Sequence, residues 1–289
     1  MSVMIEEDPD FKKILAFLLK TKGFDAHQYK QNYIKRRIAV RMRAAGVSTY
    51  HDYLRVLQTV RQEPSFLIDR LTIHVTEFFR DPEVYRSMTE KILPEFSNIF
   101  PKNLRVWCAG CSTGEEPYSV AIMVKEWIAN QPDFSFEILA TDIDLPSVRA
   151  AEKGEYAMEA LKKVPKSQVQ RWFSSEDSKV RALPELKDHI RFRVHDLLGN
   201  WLSSLTGFHF IFCRTMLIYL RAIEQQRLYE QFAKVLKPGG YLVLGLTETL
   251  LGPSRKFFHC VDVRHRIYQV SEPVENPMEL PNDTRGNDG

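Results

Sequence analysis

The chain has 289 residues, of which 44% are hydrophobic and 27% are charged, and its formal net charge is +3. This length supplies one large domain or two smaller ones with a sizeable core, and the composition is typical of a globular protein. The small net charge excludes a nucleic-acid partner held by bulk charge, so any basic function must be local.

The first residues predict neither a secretion signal nor a membrane anchor. "MSVMIEEDPD" is acidic and has no apolar centre, and no apolar run in the chain approaches the ~20 residues that span a bilayer. We therefore expect a cytoplasmic protein that does not insert into a membrane and acts as a monomer.

The four cysteines give little support to metal or redox chemistry. Cys108 and Cys111 form a C-x-x-C pair, but no second pair exists. Both residues lie where a buried strand is expected to end, so we expect no metal site.

Residues 9 to about 70 read as a helical region. In "DPDFKKILAFLLKTKGF", Asp8-Pro9 is a helix-start signal and Gly23 a stop signal. The apolar face expected to pack in the core consists of Phe11, Ile14, Leu15, Leu18 and Leu19. Further helices are predicted at residues 28–45, in "TYHDYLRVLQ" and in "PSFLIDRLTI". We therefore expect a small all-α domain at residues 1–80.

From residue 81 the pattern changes to alternating helices and strands. After a linking helix near 82–97, the predicted strands are 104–109, 136–142, 208–214 and 241–246, and the predicted helices are 117–130, 145–154 and 222–240. Residues 257–270 are expected to form one or two antiparallel strands. Such alternation predicts an α/β fold with a parallel sheet covered on both faces. Ligands bind such sheets at the carboxyl ends of the strands.

Two segments depart from this rhythm. The stretch at about 165–195 reads as a small inserted β-subdomain within the domain at 81–271. The tail at 272–289 is polar and rich in Pro, Asn and Asp, so we expect it to be disordered.

The loop "CAGCSTGEEPYS" offers carboxylates where a phosphate-binding loop would offer lysine. Its small residues permit close backbone approach, whereas Glu115 and Glu116 would repel a pyrophosphate. Asp142 ends the next strand, where related folds place a carboxylate on ribose hydroxyls. A positively charged adenosine without phosphate fits both features, and S-adenosylmethionine is such a cofactor. For Glu115 with Asp142 we favour ligand contact; for Glu116 the alternative is a favourable charge at a helix start.

A third strand-end loop lies in "FHFIFCRTMLIYL". Arg214 follows the apolar strand directly and is costly to bury unless it is paired. It either lines the open crevice or pairs with an acid such as Asp196 or Glu248.

Five motifs together resemble the CheR family of chemotaxis-receptor methyltransferases. They are "LTIHVTEFFRDP", "VWCAGCSTGEEPYS", "ATDID" followed by "AAEKGEY", "FIFCRTMLIYL" and "LKPGGYLVLGLTETL". The resemblance runs from about residue 9 to 271, in order and spacing. It implies a helical N-terminal domain joined to a class I S-adenosylmethionine-dependent methyltransferase domain, which is Rossmann-like, with a small inserted β-subdomain.

The resemblance also implies which residues bind the cofactor. These are His74, Thr76, Arg80, Ala109, Gly110, Glu115, Asp142, Asp196, Leu197, Thr215 and Met216. The chain departs from the family pattern twice, with His74 in place of the first Asn of N-x-T-x-F-F-R and Thr215 in place of the Asn of C-R-N. Asn offers an acceptor and two donors, whereas Thr offers a hydroxyl and His a ring nitrogen, so cofactor affinity is expected to differ.

The activity that the resemblance implies is methyl transfer to glutamate carboxylates of chemoreceptors, with S-adenosylhomocysteine as the second product. A glutamate is already ionised at neutral pH and needs no general base. Arg80 and Tyr219 are the candidate catalytic residues that orient the incoming carboxylate, and a core role is the alternative for Tyr219 as for Tyr118. Two other functions stay open: a non-catalytic cofactor-binding sensor, and a methyltransferase for another substrate such as nucleic acid.

The predicted helix at 28–45 carries basic residues and no acidic one. Ile34, Ile38, Met42 and Ala45 are expected to face the core. Lys30, Arg37 and Arg41 share one solvent edge, and Arg36 and Arg43 share another. Surfaces usually mix charges, so this row indicates an acidic partner. By resemblance the partner is the cytoplasmic helical bundle of a methyl-accepting chemoreceptor, docked at Lys30, Arg37 and Arg41; nucleic acid is the competing partner and is not expected.

Overall fold

A computed structural model describes residues 8–72, 76–99, 102–130, 133–176, 178–201, 205–250 and 252–271. The predicted disordered tail at 272–289 and His74 lie outside these residues. The helical domain consists of α1 (Pro9–Lys22), α2 (Gln31–Ala44), α3 (Tyr50–Thr59) and α4 (Glu63–Leu71). The all-α region that the sequence predicts is thus present.

Local signals set the limits of α1. The Asp8 side chain accepts a hydrogen bond from the Asp10 backbone N–H at 2.8 Å, and Gly23 ends the helix at a φ of 67°. Four of the five predicted core residues of this helix are buried, but Leu19 is 46% exposed. Leu19 lies one residue beyond Leu18, and the 100° rotation per residue turns it out of the apolar stripe.

The second domain is built on a seven-stranded sheet. Its strands, in the order in which they lie side by side, are β6 (Ile190–Val194), β2 (Ser135–Asp142), β1 (Asn103–Ala109), β7 (Phe208–Cys213), β8 (Leu236–Leu244), β10 (Ile267–Val270) and β9 (Phe258–Asp262). The first five are parallel, and β10 and β9 close the sheet as an antiparallel hairpin. This confirms the α/β class and the antiparallel end.

Helices and two apolar cores cover the sheet. The helices are α5 (Pro82–Ser87), α6 (Leu93–Ile99), α7 (Glu115–Trp127), α8 (Leu145–Lys153), α9 (Lys166–Trp172), α10 (Pro184–Lys187) and α11 (Ala222–Val235). A π-helical turn joins α5 to α6. One core, around Tyr118 and Phe210, lies on one face of the sheet, and the other, around Trp107 and Phe232, lies on the opposite face.

Two predicted boundaries need correction. Helix α11 ends at Val235 and β8 begins at Leu236, because Pro238 cannot continue a helix. The small sheet consists of β3 (Glu155–Ala157), β5 (Lys179–Ala182) and β4 (Phe173–Glu176). The insertion therefore begins near residue 155 and ends before β6, which pairs with β2 in the large sheet; the sequence placed it at about 165–195.

The chain order of the strands creates a switch point. After β1 the chain moves outward through β2 to β6, and then returns to the other side of β1 with β7. Crossover connections leave β1 in opposite directions, so a crevice opens between the strand ends at this point.

The two domains are hydrogen-bonded to each other at this same edge of the sheet. The Lys30 N–H donates to the Tyr219 carbonyl at 2.8 Å, and the Arg221 N–H donates to the Gln28 carbonyl at 3.0 Å. Tyr29 forms an isolated antiparallel β-bridge with Leu220 between these bonds. The start of α2 is therefore tied to the loop that follows β7.

Candidate functional site

A cleft opens at the carboxyl ends of four parallel strands. Gly110 follows β1, Asp142 ends β2, Asp196 follows β6 and Arg214 follows β7, and all four line it. The cleft encloses about 890 Å³, open solvent at its mouth included. The helical domain contributes Tyr29, Leu71 and Thr72 to the wall.

Glycines and a carboxylate shape the turn between β1 and α7. Gly114 has a φ of 98°, and a Cβ there would lie 2.8 Å from the Ala151 Cβ, so only glycine fits. One Asp142 oxygen accepts the Ser112 N–H at 2.8 Å and the other accepts the Asp144 N–H at 3.0 Å. Asp142 thus holds the turn open while it faces the cleft.

The carboxylate that reaches the cleft from this turn is Glu116. The Glu115 side chain accepts a hydrogen bond from the Thr113 hydroxyl at 2.7 Å and is not among the cleft-lining residues, whereas Glu116 lines the cleft. Burial raises the pKa of Glu116 to about 7, although Arg214 at 3.8 Å opposes the shift. Glu116, for which the sequence left a helix-start role open, therefore lies in the cleft wall, and cofactor contact by Glu115 stays a prediction.

Arg214 both lines the cleft and is paired. Its guanidinium donates to Asp81 at 2.6 Å and lies near Glu116, and its side chain is only 2% exposed. The acids named from the sequence, Asp196 and Glu248, are not its hydrogen-bond partners. A buried arginine needs such partners because an unpaired charge is costly to bury.

Glu248 instead organises the loop after β7. Its carboxylate accepts the backbone N–H groups of Thr215 at 2.9 Å, Leu217 at 2.7 Å and Gly245 at 2.7 Å. Burial raises the pKa of Glu248, and these backbone donors oppose the shift. The carboxylate therefore fixes the position of Thr215 and of its neighbour Met216 in the cleft wall.

Thr215 occupies the left-handed backbone region, with a φ of 63°. A β-branched residue is a conformational outlier there, whereas asparagine tolerates this region. The hydroxyl of Thr215 donates to the Arg214 carbonyl at 2.6 Å and accepts from Arg80 at 3.1 Å. The departure from the family's asparagine thus places strain in the cleft wall.

Most of the residues predicted to bind the cofactor meet in this cleft. Its lining includes Thr76, Arg80, Gly110, Asp142, Asp196, Leu197, Thr215 and Met216. Ala109 is the buried last residue of β1 and is not among the cleft-lining residues. Tyr219 is not among them either, and its ring packs on Tyr33 of the helical domain with centroids 4.6 Å apart.

The cleft residues that the sequence reasoning missed include Ser112, His195 and Tyr29. The Ser112 hydroxyl and His195 Nε2 are buried and have no hydrogen-bond partner within the part of the chain that is described. Both residues line the cleft, so they are available to a polar ligand. The sequence could have indicated both residues, because Ser112 lies inside the glycine turn and His195 directly precedes Asp196. Tyr29 gave no such signal.

The predicted docking residues Lys30, Arg37 and Arg41 are less free than the sequence suggested. The Arg41 guanidinium makes a bidentate salt bridge to the Glu63 carboxylate, in which Nε donates to Oε1 at 3.0 Å and Nη2 donates to Oε2 at 2.7 Å. The Lys30 ammonium donates to the Ile218 carbonyl at 2.7 Å, and the Arg37 guanidinium lies 5.1 Å from the centre of the Tyr33 ring.

These contacts correct the idea of an uncompensated row. Arg41 is compensated by an acid from another helix, whereas Arg36 and Arg43, on the second solvent edge, are exposed. The predicted core residues Ile34, Ile38 and Met42 of this helix are buried.

Other chemistry finds little support in the described residues. Cys108 and Cys111 are free and buried, and burial raises the pKa of both thiols, which makes them unreactive. No group of three or more His, Cys, Asp or Glu side chains there is arranged to hold a metal ion. None of the described helices combines the length and the apolar character needed to cross a membrane. Tyr118 is a core residue whose hydroxyl donates to the Ala151 carbonyl at 3.0 Å.

Comparison with known proteins agrees with this architecture. The family described as "CheR methyltransferase, all-alpha domain" matches residues 9–72, and "CheR methyltransferase, SAM binding domain" matches residues 74–267. A chemotaxis protein methyltransferase of Listeria monocytogenes is 31% identical over 250 residues, which cover 85% of this chain and 94% of the relative. One from Escherichia coli is 29% identical over 256 residues, covering 86% of this chain and 87% of the relative.

The structural likeness to other solved methyltransferases is partial. A glycopeptide N-methyltransferase complexed with sinefungin matches 54% of this chain and 48% of its own, with 13% identity and a TM-score of 0.33.

Proposed function

The chain belongs to the CheR methyltransferase family, and from this premise we propose that it transfers the methyl group of S-adenosylmethionine to glutamate side chains of chemoreceptors. The products are glutamate methyl esters and S-adenosylhomocysteine. The activity makes the protein a protein-glutamate O-methyltransferase of chemotaxis adaptation, acting in the cytoplasm.

The donor groups of the cleft fit this cofactor, which supplies a methyl group activated by a positively charged sulfur. Asp142 would hold the ribose hydroxyls, and Asp196 with Leu197 would hold the adenine. Glu116 would face the positively charged end of the molecule. The unpartnered Ser112 hydroxyl and His195 Nε2 support a polar occupant of this cleft.

The chemistry asks for positioning rather than for a base. A glutamate carboxylate, with an ordinary pKa of about 4.3, is ionised at neutral pH and is already nucleophilic. The protein must align it and remove its water. Arg80 lines the cleft and bonds Thr215 at 3.1 Å, so its guanidinium is held in place to orient a carboxylate. Tyr219, packed on Tyr33, would act by holding its loop in place.

The observation that carries the substrate proposal is the backbone hydrogen bond between the start of basic helix α2 and the loop after β7, which supplies Thr215 and Met216 to the cleft wall. The Lys30 N–H and the Tyr219 carbonyl are 2.8 Å apart, and Tyr219 lies three residues after Met216 of the wall. An acidic helical bundle docked along α2 would therefore lie beside the cleft. Within α2, the exposed Arg36 and Arg43 are suited to this docking because their charges face solvent.

Methylation of a receptor fragment tests the reaction. The protein is incubated with the cytoplasmic bundle of a chemoreceptor and with cofactor labelled in its methyl group. The proposal expects label on the receptor that mild alkali releases, as it does from a carboxyl ester. Stable label on the receptor, label on RNA added in parallel, or cofactor binding without transfer would each contradict it.

A charge-matched pair of variants tests the docking surface. Arg36→Glu with Arg43→Glu is expected to slow receptor methylation at least tenfold and to leave the cofactor dissociation constant unchanged. The control, Lys12→Glu with Lys20→Glu on exposed positions of α1, makes the same change in net charge. Equal slowing in both doubles would show that only the overall charge matters.

A further inference from the structure

Tyr29 is a residue of the helical domain that lies in the wall of the methyltransferase cleft. Its backbone is held from both sides, by the β-bridge to Leu220 and by the bonds that flank it, from Lys30 to Tyr219 at 2.8 Å and from Arg221 to Gln28 at 3.0 Å. The position of the ring in the cleft is therefore fixed by the contact between the two domains.

Two aromatic neighbours hold the Tyr29 ring. Phe24 lies against Tyr29 with centroids 5.5 Å apart and an interplanar angle of 20°, and Tyr33 lies at 6.2 Å and 22°. Tyr29 lines the cleft, and its hydroxyl is the polar group of this side chain that can bind a ligand there.

The surroundings of the hydroxyl are acidic. Burial raises the pKa of Tyr29, and the charges of Asp196 and Asp142 raise it further. The phenol is therefore neutral at physiological pH and keeps its proton to donate. These are the two carboxylates that end β2 and follow β6 in the cleft wall.

We propose that the Tyr29 hydroxyl binds the nucleoside part of the cofactor, so that the helical domain completes the cofactor site. The inference rests on the proposed assignment of Asp142 and Asp196 to ribose and adenine. The cofactor site of the methyltransferase domain is then incomplete without the helical domain. The helical domain supplies Tyr29, and backbone hydrogen bonds hold this residue against the loop after β7.

The position of Tyr29 also links cofactor binding to substrate docking. Tyr29 lies two residues before Gln31, where α2 begins. A cofactor that fixes Tyr29 fixes the start of the basic helix, and a partner bound along α2 reciprocally favours the cofactor. The two ligands are thus expected to bind with positive cooperativity.

Calorimetric titration with S-adenosylhomocysteine tests the contact without any receptor. Tyr29→Phe keeps the aromatic stack and removes the hydroxyl, and it is expected to raise the dissociation constant about 5- to 20-fold. Tyr50→Phe is the matched control, because Tyr50 packs on Phe11 at 5.3 Å in the same domain and is not among the cleft-lining residues. Its dissociation constant should equal that of the wild type.

A second probe separates contact from general damage. Methylthioadenosine keeps the nucleoside and lacks the amino-acid end, so Tyr29→Phe should weaken it by the same factor, with a melting temperature like that of Tyr50→Phe. A dissociation constant within twofold of the wild type for both probes would overturn the proposal, as would a loss confined to S-adenosylhomocysteine. Both titrations are made without a receptor. Their outcome therefore does not depend on whether the protein methylates glutamate.

Discussion

We expect the buried carboxylate of Glu116 to make cofactor binding depend on pH. Burial raises its pKa from 4.5 to about 7 in the cofactor-free protein, with Arg214 and Arg80 opposing the shift and Glu248 adding to it. A positively charged ligand facing Glu116 favours the ionised form, so binding must remove the proton wherever the free protein carries one. With one proton and a pKa of about 7, the dissociation constant should rise about tenfold from pH 8 to pH 6.

Replacing Glu116 by glutamine should abolish this dependence. Glu116→Gln keeps the size of the side chain but has no charge to titrate. Its dissociation constant should be about 10-fold or more above the wild-type value at pH 8. Between pH 6 and pH 8 the constant should be nearly flat.

The stability of the cofactor-free protein should fall as the pH rises, whereas its affinity for the cofactor should increase. A carboxyl group whose pKa is higher in the folded than in the unfolded state destabilises the fold as the pH rises from about 4.5 to about 7, and this cost is constant above pH 7. It amounts to about 3 kcal/mol at most. Relative to the wild type, Glu116→Gln should therefore be more stable at pH 8 than at pH 5, as measured by urea unfolding at both pH values.

Glu115→Gln is the neighbouring control for the binding measurement. Its carboxylate accepts from Thr113 and is not among the cleft-lining residues, so its pH profile should follow that of the wild type. Calorimetric titration with S-adenosylmethionine at pH 6, 7 and 8 gives all three profiles. A wild-type constant that does not change with pH, or an unchanged slope in Glu116→Gln, would refute the role of Glu116.

Substitutions of Arg41, Glu248 and Thr215 test other parts of the structure. Arg41→Ala leaves Glu63, whose side chain is 6% exposed, without its cation, and should lower the unfolding free energy by about 2–4 kcal/mol. Arg36 is exposed, so the control Arg36→Ala should change the unfolding free energy by less than about 0.5 kcal/mol. Glu248→Leu removes the acceptor of several backbone N–H groups and should loosen the loop after β7, seen as faster amide exchange there and at least tenfold weaker cofactor binding. Thr215→Asn relieves the backbone strain of a β-branched residue at a φ of 63° and should raise the melting temperature by a few degrees, equivalent to about 1 kcal/mol. An unchanged or lower melting temperature would show that the hydrogen bond between the Thr215 hydroxyl and Arg80 outweighs the strain.

Local signals predicted the turn that shapes the site. The strand ending at Ala109, the glycine turn and the helix after it follow from apolar runs and breaker residues, and their spacing placed Asp142 opposite the turn. The sequence pattern predicted that the loop carries carboxylates, but it did not predict which of them points into the cleft. Glu115 and Glu116 differ by one residue, which is a rotation of 100° at a helix start, and only the packing of α7 decides which carboxylate enters the cleft.

Long-range partners explain the remaining differences. Arg41 looked uncompensated because Glu63 lies 22 residues away on α4. Arg214 is paired with Asp81, 133 residues earlier in the chain. Tyr29 enters the cleft only because the two domains meet along its backbone. These contacts depend on tertiary docking, which neither periodicity nor composition encodes.

Mass spectrometry of a methylated receptor tests the central claim most directly. A chemoreceptor cytoplasmic bundle is incubated with the protein and S-adenosylmethionine, digested under acidic conditions that preserve esters, and sequenced peptide by peptide. The proposed function predicts a methyl group on glutamate side chains, absent when Arg80→Ala replaces the wild-type protein. Methyl groups found on lysine or on peptide termini, or an unmodified receptor in the presence of bound cofactor, would contradict it.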